Sequence, residues 1–233
     1  MADARSGRAT YDGCLVWYRI SGSGPPLVLI RQNRVPKNDQ QLALFAGRFT
    51  AIQVTPVGFG ASDRPVGYRP PGGIAPSILA ALDQEGIDRF VVRGYSQGGA
   101  MAAVVAQATR RVCAMIADGS PVIGVPTPGT LRRLDKEPRL PVGAHAFWHY
   151  YAGFEWDREL TTMECTKIVY FGSEDRSTAS QVRRSRERLI ACGVDVFEFS
   201  SLDHRTCGSG TDAERRVVPT LLDALDAALP SGW

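Results

Sequence analysis

Apolar residues come along this chain in short blocks separated by polar, Gly- and Pro-rich turns. "CLVWYRI" (Cys14 to Ile20), "LVLI" (Leu27 to Ile30), "FTAIQV" (Phe49 to Val54), the run around Phe90 to Val92, "VCAMIAD" (Val112 to Asp118) and "TKIVYFG" (Thr166 to Gly172) are rich in β-branched and aromatic side chains. Runs this short, bounded this way, read as buried strands. "VDVFEFS" (Val194 to Ser200) alternates, which predicts an edge strand. Helical spacing lies between them. Ile78, Leu79 and Leu82 share a helix face, alanines crowd the stretch after Gly99, and helices are expected over Ser180 to Cys192 and Thr211 to Leu229. Strands alternating with helices predict an α/β fold, with a mostly parallel sheet flanked by helices on both faces. At 233 residues, one domain with one sizeable core is expected.

One stretch breaks the rhythm. Between two sheet strands, Gly119 to Glu164 carries a turn-rich run, a basic segment and "HAFWHYYAGFEW". Six aromatics (Phe147, Trp148, Tyr150, Tyr151, Phe154 and Trp156) fall within ten residues. A helix packing rings into the core would explain some of them. The position predicts a lid over the C-terminal edge of the sheet, its rings forming an apolar ceiling for a ligand. Phe147, Trp148 and Tyr151 are therefore candidate substrate contacts.

Composition narrows the class. A net charge of +3 with scattered basic residues argues against a nucleic-acid partner. "RRSRER" (Arg183 to Arg188) sits within a predicted helix and reads as a solvated face. No apolar run approaches the roughly 20 residues that span a bilayer, and the opening "MADARSGRAT" lacks the apolar core of a secretion signal. Five widely spaced cysteines without a CxxC pair fit reduced thiols, so a cytoplasmic protein without membrane association is expected. The composition leaves homo-oligomerisation open.

Chemistry enters at "RFVVRGYSQGGAMAAVVA" (Arg89 to Ala106). A strand runs into a tight turn with Ser96 at its tip, flanked by Gly94 and Gly98, and a helix follows at once. Such a turn lifts the serine oxygen clear of the sheet and aims a helix N-terminus beside it. A serine hydroxyl needs a base, and histidine is the side chain suited to that near neutrality. Of three histidines, His145 and His149 stand four apart in the aromatic stretch. Metal binding at that spacing needs a third ligand, and Ala146 stands where a zinc protease has its glutamate; no metal site or cofactor is assigned. His204, in "SSLDHRTCGSG", follows the last strand, at the sheet edge where ligands gather in α/β folds. Glu174 and Asp175 follow the strand ending at Gly172. Asp118 is an alternative acid, and Asp203, next to His204 in sequence, ranks below these.

These features together resemble the α/β-hydrolase superfamily, over nearly the full length. The resemblance rests on "DGCLVWYRISGSGPPLVLI", "GFGASDRP", "ILAALDQEGIDRFVVRGYSQGG", "GSED" after a late strand and the terminal histidine loop. It implies Ser96 as nucleophile, Asp175, three residues past Gly172, as acid, and His204 as base. The Gln97 and Asn33 N–H groups would form the oxyanion hole, with Tyr95 beside the substrate. Family members commonly carry His-Gly where this chain has "RQNR" (Arg31 to Arg34), and often aspartate where it has Thr55. Arg31 or Gln32 would instead point into the pocket. The expected activity is hydrolysis of an ester, thioester or lactone of a small, partly apolar molecule; a cofactor-free perhydrolase or carbon–carbon bond hydrolase would use the same three residues. The alternative is a small-molecule-binding protein on this scaffold with little or no turnover, because the altered turn disturbs the oxyanion hole.

Overall fold

Eight strands among the described residues form one sheet: β1 (Arg5–Tyr11), β2 (Cys14–Ser21), β3 (Pro26–Ile30), β4 (Thr50–Thr55), β5 (Phe90–Tyr95), β6 (Val112–Asp118), β7 (Thr166–Gly172) and β8 (Val194–Phe199). The structure is a computed structural model and describes residues 4–32, 40–64, 72–136 and 142–229. The strand order is β1-β2-β4-β3-β5-β6-β7-β8. β1 and β2 pair antiparallel, as do β2 and β4, and every later pair is parallel.

Burial follows the pattern of the sequence. β6 is buried at every position, and β3, β5 and β7 nearly so, as strands covered on both faces must be. Alternate residues feed two separate cores. Val28, Ile30, Phe90, Val92, Met115 and Val169 pack under α2 (Ile74–Gln84), α3 (Gln97–Ala108) and α7 (Ala179–Ala191). Leu27, Leu29, Val91, Ala114, Ile116 and Ile168 face α1 (Gln40–Ala46) and α9 (Val218–Ala228) on the other side.

Two elements depart from the sequence reading. The polar start forms strand β1, whose exposed face hides the alternation: of its seven residues only Ala9 is buried. The helix expected over Thr211 to Leu229 is interrupted, with a π turn over Ala213–Val217 preceding α9.

Between β6 and β7 the chain forms α4 (Pro128–Leu134), α5 (Val142–Tyr151) and α6 (Trp156–Thr162). Tyr151 stacks on Trp156 with ring centroids 4.2 Å apart, and its hydroxyl donates to the Val122 carbonyl at 2.8 Å. Phe147, Tyr151 and Trp156 belong to the core on the α3 side. Trp148, Tyr150 and Phe154 are only partly buried against it.

Candidate active site

The chemistry-bearing residues gather where the C-terminal ends of β5, β6, β7 and β8 lie side by side. Ser96 follows β5 and caps α3, with φ 56° and ψ −123°, a conformation that L-residues rarely adopt. Its N–H donates to the Asp118 carbonyl at 2.7 Å, tying the turn to β6. Gly94 makes that turn possible: a Cβ there would lie 1.7 Å from the Gly98 carbonyl oxygen, so no other residue lets strand and helix approach so closely. Gln97 is the first residue of α3, where leading N–H groups lack intrahelical acceptors and attract negative charge.

Asp175 follows β7 and His204 follows β8, and the adjacency of those strands brings them together. Asp175 Oδ2 lies 2.6 Å from His204 Nδ1. The carboxylate is held by its own loop: Oδ1 accepts from the Ser177 N–H at 2.9 Å, the Ser177 hydroxyl at 2.5 Å and the Thr178 N–H at 3.1 Å, and Oδ2 accepts from the Thr178 hydroxyl. Burial acts to raise the Asp175 pKa, but the bonds from His204, Ser177 and Thr178 outweigh it and hold the group below the ordinary carboxylate range. The hydrogen bond to Asp175 raises the His204 pKa against the opposing effect of burial, and the charge of Asp118 adds to it.

The imidazole packs on Tyr95, the residue before Ser96, with ring centroids 4.7 Å apart and planes tilted by 37°. No hydrogen bond joins Ser96 Oγ to His204 among the described residues. The Tyr95 hydroxyl is pushed up to about 12 by burial, reinforced by the charges of Asp118 and Asp175.

The other carboxylates are occupied elsewhere. Asp118 is fully buried, and its Oδ2 accepts from Arg93 Nη2 at 2.5 Å. Burial pushes its pKa up to about 6 despite Arg93. Arg93 also donates to the Tyr170 hydroxyl from Nε at 3.0 Å and from Nη2 at 2.8 Å. Glu174 is exposed. Asp203 caps α8 (His204–Gly208), accepting from the Arg205 and Thr206 N–H groups in a reciprocal capping box. The segment holding His204 is thus a short helix where a loop was expected.

The altered turn after β3 is placed in part. Gln32 lies against the Ser96 turn: its Nε2 is 3.1 Å from where a Gly98 Cβ would sit, and among the described residues it contacts Met101 Sδ at 4.0 Å. The Arg31 N–H donates to the Val54 carbonyl at 2.9 Å. Asn33, expected to supply the second oxyanion donor, lies outside the described residues. Phe147 and Tyr151, expected among the substrate contacts, are fully buried, because their rings complete the core beside α3; Trp148 is half-buried.

Ser177, Thr178, Arg93 and Tyr170 escaped the sequence reading. A signal existed for Arg93, a lone charge in an otherwise apolar central strand.

No family model matches the chain, and no curated protein matches it. Solved structures do. An esterase from a Rhodococcus species aligns with a TM-score of 0.68 at 20% identity, covering 97% of this chain and 99% of its own. A meta-cleavage product hydrolase from Pseudomonas fluorescens aligns at 0.66 and 19%, covering 96% and 98%. A bromoperoxidase from Bacillus anthracis aligns at 0.69 and 15%, covering 95% and 100%. The chain has the α/β-hydrolase fold. Among the described residues, no helix is long and apolar enough to cross a membrane.

Proposed function

We propose that the chain is a serine hydrolase that cleaves an ester, thioester or lactone of a small, partly apolar molecule. The observation that carries this reading is the 2.6 Å contact between Asp175 and His204, with that imidazole packed on the residue preceding a strained Ser96. Ser96 Oγ would attack the substrate carbonyl carbon while His204 Nε2 takes its proton. Asp175 would hold the ring with Nε2 toward the serine and stabilise the imidazolium that forms. The Gln97 N–H would stabilise the oxyanion, a contribution of roughly 3 kcal/mol per donor in comparable sites. Collapse to an acyl-enzyme would release the alcohol or thiol, protonated by His204 and left tethered to the acyl group where the substrate is a lactone, and water would then release the acid.

The esterase and the meta-cleavage product hydrolase among the structural neighbours support hydrolysis as the reaction class. All five cysteines are free thiols, which supports a cytoplasmic setting. The half-buried Trp148, Tyr150 and Phe154 would supply an apolar wall from the β6–β7 insert, acting as a lid.

Gln32 favours one other reading. Its amide lies where a small residue would leave the mouth of α3 open, so it either donates to the oxyanion or obstructs it. Obstruction would leave a binding protein with little turnover. A fluorophosphonate probe followed by an acyl-ester and lactone screen separates the two. Labelling and turnover, both lost in Ser96→Ala with a drop of about 10³-fold or more, are expected for a triad acting as a unit. An unlabelled Ser96 in folded protein, or turnover surviving in Ser96→Ala, overturns the hydrolase reading.

A further inference from the structure

His145 and His149 meet a third potential ligand that the sequence did not reveal. Asp135, at the C-terminal end of α4, places Oδ1 2.8 Å from His145 Nε2 and 2.8 Å from His149 Nε2. The two imidazoles rise from successive turns of α5, with ring centroids 4.7 Å apart. Among the described residues this is the one group of three such side chains whose ligand atoms lie within 4.8 Å of one another. All three are open to solvent, with side-chain exposures of 41%, 44% and 47%. Nothing in the proposed hydrolytic chemistry uses them.

We propose that Asp135, His145 and His149 form a binding site for a divalent transition-metal ion of the zinc class, which clips α4 to α5. The ligand chemistry fits, since imidazole nitrogen and carboxylate oxygen suit zinc and three protein ligands leave a position for water. The geometry fits after a small adjustment. Ligands about 2.0–2.1 Å from a tetrahedral ion stand about 3.3 Å from one another. The 2.8 Å separations from Asp135 therefore need to open only slightly. In the hydrogen-bonded arrangement each Nε2 carries the proton given to the carboxylate. With metal bound, each neutral ring holds its proton on Nδ1 and turns its Nε2 lone pair to the ion.

The fold gives such a clip a purpose. α4 contributes no buried residue to either core, so apolar packing does little to hold it. A metal bridging Asp135 to α5 would fasten it to a helix whose Phe147 and Tyr151 are anchored in the core.

The test uses untagged, chelator-treated full-length protein titrated with Co²⁺ and followed by visible absorption, with Zn²⁺ binding measured in parallel by calorimetry. One equivalent of Co²⁺ giving a nitrogen–oxygen spectrum without thiolate charge transfer is expected. His149→Ala should abolish that signal, and Asp135→Asn should weaken binding by about tenfold or more, as loss of a ligand does. Circular dichroism checks that each variant is folded, and His145→Gln gives an independent second removal. Absence of saturable binding, binding unchanged in both histidine variants, or a thiolate band placing the metal on a cysteine would each overturn the proposal. Ser96→Ala should bind the metal like the parent protein, which keeps this result separate from the fate of the hydrolase reading.

Discussion

Asp175 and Asp118 sit at the ends of adjacent parallel strands, both shielded from water, and the protein uses them in opposite ways. Asp175 is surrounded by donors from its own loop and by one imidazole, which together outweigh its burial. Asp118 has Arg93 on one oxygen and no hydrogen-bond partner on Oδ1 among the described residues, and burial prevails. The difference arises from backbone. After Gly172 the chain turns so that Ser177 and Thr178 direct N–H and hydroxyl groups back at the carboxylate. After Asp118 it enters Gly119 with φ +55°, where a Cβ would come within 2.9 Å of the His204 ring. Two acids of the same type, one strand apart, thereby acquire different partners: one is bonded to the His204 imidazole and the other neutralises a buried guanidinium.

Replacing Asp175 tests that division most severely. Asp175→Asn keeps the shape but removes the charge that holds His204, and turnover should fall by about 10⁴-fold, as it does where a triad acid is lost. Steady-state kinetics on the ester identified by screening measures this. Turnover within tenfold of the parent would mean that Asp175 is not the acid.

Asp118→Asn should affect the fold instead. It leaves the Arg93 guanidinium buried without a counter-charge, a change that costs about 3–5 kcal/mol in comparable pairs. Urea denaturation should register the loss, while turnover per folded molecule stays within about tenfold of the parent. A fall in turnover matching that of Asp175→Asn, at unchanged stability, would exchange the roles of the two acids.

Removing both partners should cost much less. Arg93→Met with Asp118→Leu exchanges a buried ion pair for apolar side chains, which is often neutral or stabilising. The double variant should therefore be more stable than Asp118→Asn alone in the same denaturation experiment. If it is less stable, the pair contributes more than mutual neutralisation, with the Tyr170 hydroxyl as the first place to look.

These asymmetries show what the amino-acid order makes legible. Strands β3 to β7 are readable because both faces are covered, so their apolar runs are nearly continuous. β1 is not, since Arg5, Ser6 and Arg8 face solvent and its backbone pairing is the main order it has. The turn at Ser96 is readable because Gly94, Ser96 and Gly98 are local. The convergence of Asp175 with His204 depends on β7 neighbouring β8, a fact of topology that no local spacing contains. The pairing of Asp118 with Arg93 has the same character, as does the meeting of Asp135 with His145 and His149. Spacing four apart aligns two histidines on a helix, but the third group arrives from another helix.

The smallest expected effect is on the titration of His204. Asp175 raises its pKa above the ordinary 6.5, chiefly through the hydrogen bond, and Asp118 adds a weaker push through charge alone. In the proposed mechanism His204 must be neutral to accept the Ser96 proton, so kcat/KM should rise with pH through this raised value. Stability runs the other way. The raised histidine contributes its full share below the unfolded histidine pKa and loses it as pH climbs through the folded one. Only three histidines are present, so nitrogen NMR of the imidazoles can follow His204 directly, even in variants too slow to assay. Its midpoint should fall most in Asp175→Asn and by a smaller amount in Asp118→Asn. A fall in Asp118→Asn as large as that in Asp175→Asn would show that charge at a distance outweighs the hydrogen bond, and the contrast between the two acids would fail at the base itself.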